Sequence, residues 1–191
     1  MSETQDWRAR RWEDTHQRIY DTAIRLFQEQ GFEQVSVGAI AAGAEVSVPT
    51  FYAHYASKEH LVMQLPTAEA LHALLGGQPA ELPVADRLRR AVPAWFTSWD
   101  AEYRQAQLAR WRVIATTPAL RTRAAEFERT TAGMIVDVLP SGGPALSPAD
   151  QVVIMAYLSA YTMGMLTWAD GNGERELEEV IDEAFDLLEG R

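Results

Sequence analysis

With 47% apolar residues and six each of Trp, Tyr and Phe spread over 191 positions, the chain can bury a sizeable core, which excludes a disordered or fibrous protein. It contains no Cys, so disulfide frameworks, thiolate metal sites and cysteine nucleophiles are excluded together. A net charge of -10, from 17 basic and 27 acidic residues, excludes a protein that coats nucleic acid by bulk positive charge but leaves room for a small local DNA site.

The chain opens on polar residues with no apolar signal run, so a cytoplasmic location is expected. From Thr15 to Gln30, Ile19, Ala23, Leu26 and Phe27 share one helical face, and Gly31 supplies the stop. Arg8, Arg10 and Arg11 fall ahead of this helix. Two accounts fit them: an arm that reaches phosphates or a minor groove, or a solvated basic tail. Ser36 reads as the cap of a short helix through Ala42, Gly43-Ala44-Glu45 as a turn, and Ser47 as the cap of a third helix that ends near His54 or Tyr55. Pro49 is tolerated there because N–H groups in a first turn have no internal partner. Ser57 caps a fourth helix, with Glu59 in its first turn. Three short helices joined by tight turns match a helix-turn-helix plan.

Residues 1–60 are expected to form a head and 61–191 a larger helical domain, within which Gly76-Gly77-Gln78-Pro79 and Leu82-Pro83 mark a break. Val84 to about Tyr103 reads as one helix kinked at Pro93, followed by helices from Ala106 to Ala115 and from Ala119 to Leu139. The clearest loop is Pro140-Ser141-Gly142-Gly143-Pro144, after which Ser147 and Pro148 start a long apolar helix. Its uncharged run from Gln151 to Ala169 approaches the length of a membrane span, but its Ser, Thr and Gly residues fit a helix buried in a bundle better, and no membrane partner is expected. After Asp170-Gly171-Asn172-Gly173, a last helix lines Leu177, Val180, Ile181, Ala184, Phe185 and Leu188 along one face. No stretch alternates as a strand does, so the fold class is all-α, with about nine helices in total.

The stretch from Ile19 to Leu61 resembles the DNA-binding domain of the TetR family of transcriptional regulators. The resemblance rests on Ile19-Tyr20-Asp21-Thr22-Ala23, Leu26-Phe27, Gly31-Phe32, Val37, Ile40-Ala41, Val46-Ser47, Thr50-Phe51-Tyr52, His54-Tyr55 and Ser57-Lys58-Glu59-His60-Leu61. One departure is Glu45, where the family usually has Gly; a left-handed backbone there costs a non-Gly residue about 1–2 kcal/mol. Val48 and Pro49 replace the family's frequent basic residue and offer apolar contact only, as to a thymine methyl.

The resemblance implies operator DNA as a partner. Ser36, Tyr52, His54 and Lys58 would hold phosphates, while Ser47, Val48, Pro49 and Thr50 would face base edges. Tyr52 would point outward, with Phe51 and Tyr55 more buried; ordinary packing is the competing account of the tyrosines, and a plain surface position that of His54. Residues 1–61 carry six basic and nine acidic side chains, so local placement must provide the positive potential.

The family's architecture further implies a homodimer through the last two helices, with Met155, Leu158, Met165, Val180, Ile181, Ala184, Phe185 and Leu188 as candidate contacts. Two heads about 34–36 Å apart would then meet successive major grooves of a palindrome. Trp95, Trp99, Tyr103, Trp111, Phe127, Tyr157 and Tyr161 read either as core or, together, as the lining of an apolar pocket for a hydrophobic or aromatic effector. Six arginines between Arg104 and Arg129, against Glu126 and Glu128 alone, could receive an anionic group of such an effector, contact the DNA-binding unit, or form a solvated helix face.

The implied function is that of a repressor released by ligand; the alternative is a helical ligand-binding or interaction module without DNA binding. Catalysis is not expected: there is no HExxH, phosphate loop or GxSxG elbow, and the four histidines show no i, i+4 pair. Neither a metal site nor a cofactor is expected on the same grounds.

Overall fold

The computed structural model describes residues 3–139 and 146–191, with side chains described from Trp7. Among these residues there are ten α-helices, one 3-10 turn and no strand. The loop expected over residues 140–144 lies outside the described residues. Two compact units are present, Met1–Gln64 and Leu65–Arg191.

The first unit holds α1 (Glu3–Gln30), a 3-10 turn (Phe32–Gln34), α2 (Val37–Gly43), α3 (Val48–His54) and α4 (Lys58–Val62). Its short helices are set by their caps. Ser36, Ser47 and Ser57 each accept a hydrogen bond from the backbone N–H three residues on. Gly31 takes a φ of 84°, which a side-chain-bearing residue adopts rarely. Glu45, at φ 54°, holds the left-handed turn between α2 and α3 without help from glycine. Ile19, Ala23, Phe27, Ile40, Phe51 and Leu61 form the core of the head.

Helix α1 corrects the expectation of a start near Thr15 with a basic arm before it. Helix runs from Glu3, and Arg8, Arg10 and Arg11 all lie within it. The apolar face begins only at Ile19, so periodicity stops short. The segment before it carries Trp, Arg, Ala and Glu with no Gly or Pro, and propensity together with one tertiary contact at Trp12 continues the helix.

The second unit holds α5 (Ala68–Gly76), α6 (Val84–Phe96), α7 (Ala101–Thr116), α8 (Pro118–Val138), α9 (Pro148–Asp170) and α10 (Leu177–Glu189). Helix α5, to which the sequence analysis assigned nothing, is capped by Thr67 and buries Leu71 and Leu75 one turn apart. The expected helix from Val84 to Tyr103 is two helices. Pro93 is accommodated within α6, which stops at Phe96; Asp100 then caps a new helix by accepting from the Tyr103 N–H at 2.7 Å.

Helix α9 is the centre of this unit and packs against α6, α7, α8 and α10. A capping box of Ser147 and Asp150 starts it. Among the described residues it is the one helix long and apolar enough to cross a membrane, and burial of Ile154, Tyr157, Met165, Leu166 and Trp168 accounts for that composition.

Candidate nucleic-acid interface and effector domain

Helix α3 is anchored from beneath and open above. Phe51 is fully buried and Tyr55 nearly so, while Tyr52 is 54% and Val48 40% exposed. The Ser47 and Thr50 hydroxyls lie 2.7 Å apart, and Ser47 also accepts from the Thr50 N–H at 3.1 Å. Ser47, Val48 and Pro49 are exposed at the start of the helix and Thr50 is half-buried. Tyr52 outward with Phe51 and Tyr55 inward is therefore the arrangement found.

Three expected contact residues are otherwise engaged. The Lys58 ammonium donates to the carbonyls of Phe32 (2.8 Å) and Val35 (3.2 Å) and lies over the Phe32 ring. It ties α4 to the 3-10 turn through two of its three N–H donors. The Ser36 hydroxyl is occupied as the α2 cap. The His54 ring is half-buried and stacks on Trp12 at 3.7 Å between centroids, so it is not a plain surface residue.

Sequence reasoning missed Trp12 and His16. His16 stacks on Tyr55 at 4.2 Å and lies 5.6 Å from the His54 ring; the Tyr55 hydroxyl donates to the His16 carbonyl at 3.1 Å. The signal was available: Trp12 and His16 extend the Ile19 and Ala23 face at i-7 and i-3 from Ile19. Burial lowers the pKa of both histidines from the usual imidazole value; for His16 the nearby Glu13 opposes this, while for His54 the neighbouring His16 adds to it.

In the second unit Trp95, Phe96, Trp99, Tyr103, Trp111 and Tyr161 form one connected cluster, with ring centroids 4.9–6.3 Å apart. Burial pushes the Tyr161 phenol up to about 12, and the buried Trp99 Nε1 has no hydrogen-bond partner among the described residues. Five of the seven expected effector residues thus come together. Tyr157 is a correction: it packs on Phe185 and its hydroxyl donates to Glu189, which fixes it between α9 and α10. Phe127, half-buried on α8, makes no ring contact with the cluster among the described residues.

In the arginine-rich stretch Arg112, Arg121, Arg123 and Arg129 are exposed, as on a solvated helix face. Arg104 forms a two-pronged pair with Glu178, at 2.7 and 3.0 Å, which raises the guanidinium pKa and lowers the carboxylate's. Arg121 reaches Asp170 at 3.4 Å and Arg123 reaches Glu126 at 3.7 Å. Acids from α9 and α10, far away in sequence, meet two of the six arginines, Arg104 and Arg121.

Four of the eight expected dimer residues are buried within the protomer. Met165, Val180, Ile181 and Phe185 are 0–4% exposed and hold α10 on α9, so they are not available to a second subunit. The apolar surface left open on these helices is Val152, Met163, Leu187 and Leu188, with Met155, Leu158 and Ala184 half-buried. Among the described residues no group of three or more potential ligands could hold a metal ion.

A capped, outward-facing short helix set on a small helical head is the arrangement of a helix-turn-helix DNA-binding unit. The chain belongs to the TetR family of bacterial regulatory proteins: the family model matches residues 19–65, and that of the MftR C-terminal domain matches residues 82–191. It is 30% identical over 183 residues, covering 94% of this chain and 91% of the relative, to MftR of Mycobacterium tuberculosis, a protein ascribed to transcriptional regulation of mycofactocin biosynthesis. Two solved structures share the fold. Native NalD of Pseudomonas aeruginosa, the secondary repressor of a multidrug efflux pump, has a TM-score of 0.57 at 22% identity and covers 93% of this chain and 96% of its own. Thermus thermophilus FadR, a TetR-family repressor in complex with lauroyl-CoA, has 0.52 at 21%, covering 91% and 92%.

Proposed function

We propose that the chain acts as a homodimeric repressor that occupies a palindromic operator and leaves it when a small, mainly hydrophobic effector binds the second unit. The observation that carries this reading is α3: its inner face is locked by Phe51 while Ser47, Val48, Pro49 and Tyr52 stand exposed at one edge. A short helix held in that way suits insertion into a major groove, where Val48 and Pro49 would meet thymine methyls and Thr50 and Ser47 a hydrogen-bonding base edge. Tyr52 would hold a phosphate.

The effector would sit against the aromatic cluster on α6, α7 and α9, where Trp99 Nε1 is a buried donor awaiting an acceptor. Release requires that the effector bind one subunit arrangement more tightly than the other. A switch from 1:99 to 99:1 needs a difference of about ten-thousandfold. Direction of regulation follows from occlusion of a promoter, so effector addition raises transcription.

Selection of duplexes from a random library by the purified protein tests the reading. It should yield a palindrome whose binding weakens with salt, as counterion release demands. Tyr52→Ala should lose that binding at nearly unchanged melting temperature, because the side chain is exposed, whereas Phe51→Ala should cost about 3–5 kcal/mol of stability. The excess of acid in the head and the engagement of Lys58 favour a second reading, a ligand-binding module without DNA binding. A selection that enriches nothing, with Tyr52→Ala silent, establishes that reading instead.

A further inference from the structure

Helix α1 sorts its charges by face. With 3.6 residues per turn, each step turns about 100° around the axis. Arg10, Asp14, Gln17 and Asp21 then fall on one stripe spread over about 60°. On that stripe Gln17 donates to Asp21 at 2.8 Å, and Arg10 precedes Asp14 by four residues, a spacing at which opposite charges are neighbours, while Arg11 precedes it by three and lies about 60° around the helix. Arg8 and Arg11 lie elsewhere. Arg8 is about 20° from the buried Ile19 and about 40° from Trp12. Arg11 is about 20° from both Arg18 and Thr22.

These neighbours identify what the two arginines stand beside. Trp12 stacks on His54, the last residue of α3. Arg18 donates to the Ala44 carbonyl at 2.9 Å, in the turn that leads into α3, and Thr22 packs close against Gly43 in the same turn. α1 thus grips α3 at its end through Trp12, on the side continued by Arg8, and at the turn before it through Arg18 and Thr22, on the side continued by Arg11. Both arginines are exposed, and Arg11 lies over the Trp7 ring at 5.3 Å, a contact that organises the guanidinium without neutralising it.

We propose that the first turns of α1 are a second DNA-backbone contact surface, on which Arg8 and Arg11, and not Arg10, hold operator phosphates flanking the site read by α3. This rests on the DNA-binding reading above and deepens it. Lys58 has two of its three N–H donors on backbone carbonyls, Arg18 is held to the Ala44 carbonyl and Arg25 is paired with Glu29, so Arg8 and Arg11 add exposed cations to the few that the head already places near α3. Because Arg8 and Arg11 are helical rather than on a loose arm, their positions are set before DNA arrives and less ordering is required on binding.

The test uses the full chain and the palindromic duplex recovered in the selection, with affinity measured by fluorescence anisotropy at several salt concentrations. Arg8→Ala and Arg11→Ala should each weaken binding about threefold to tenfold and flatten the salt slope by about two, one phosphate contact for each subunit. Arg8→Lys and Arg11→Lys should restore most of both. Arg10→Ala should change neither affinity nor slope by more than Arg25→Ala does, and all variants should melt with the wild type. Equal losses at Arg8, Arg10 and Arg11 overturn the proposal in favour of a diffuse basic segment. No loss at Arg8 and Arg11, with Tyr52→Ala still defective, overturns it while leaving the DNA-binding reading intact. A wild-type protein that recovers no duplex removes both.

Discussion

His16 and His54 face each other across the junction of α1 and α3, each with a buried Nδ1 that has no partner among the described residues. Trp12 covers one ring and Tyr55 the other; Glu13 is the titratable neighbour of His16, and Tyr20 and Asp21 are those of Tyr55. Both imidazoles have their pKa lowered by burial, so the folded head prefers them neutral. The unfolded chain takes up protons first as pH falls through the ordinary value of 6.5. Stability is therefore complete above that value and declines below it, until the depressed folded pKa is passed. Melting of the wild type at pH 8 and pH 5.5 should show a loss at the acid end, and His54→Asn should reduce that loss. An unchanged pH dependence in the variant would remove the histidine pair as its cause. At the same scale, Glu45 holds a left-handed φ that the family's usual Gly adopts without strain, and its carboxylate adds to the acid near α3.

At the scale of elements, α9 and α10 approach each other through Gly164. A Cβ placed there would lie 2.6 Å from the Ile181 Cδ1 and 3.6 Å from the Ala184 Cβ, inside a contact where Ile181 is fully buried. Close approach of the two helices is what seals Met165, Val180 and Phe185 within the protomer. Gly164→Val should push them apart and cost about 1–3 kcal/mol, in the range of overpacked cores. Thermal denaturation reads the loss, and hydrogen exchange should place it on α10. The pairing of Arg104 with Glu178 joins α7 to α10 in the same unit, but both groups are more than a quarter exposed, so its net contribution is small beside the apolar contact.

At the scale of the whole molecule, the assembly proposed here depends on what α9 and α10 leave uncovered. Val152, Ala156, Ser159 and Met163 follow one another at i, i+4, i+7 and i+11, a stripe of which Val152 and Met163 are 69% and 55% exposed. Leu187, at 73%, and Leu188 add apolar surface near the end of α10. A stripe of this kind suits the isologous contact of a two-fold dimer. Val152→Glu combined with Met163→Glu should convert a dimer into a monomer in sedimentation, at nearly unchanged helicity. Operator affinity should fall by at least a hundredfold, because half the recognition is lost. A monomeric wild type of full operator affinity would refute this assembly.

The sequence by itself determined the features that are local. Caps at Ser36, Ser47, Ser57 and Ser147 were legible because a side-chain oxygen serves an N–H only three residues away, and the motif residues from Ile19 to Leu61 carried the family in their order and spacing. The inward Phe51 and outward Tyr52 followed from the same pattern. Only the tertiary structure decided how long-range partners spend those side chains. Lys58 is drawn to carbonyls 23 and 26 residues earlier, Arg104 to an acid 74 residues later, and Tyr157 to Glu189. The apolar stripe of α10 could be read, but whether it met α9 of its own protomer or a second subunit could not, since burial depends on which surfaces meet in space and periodicity records only that one of them must.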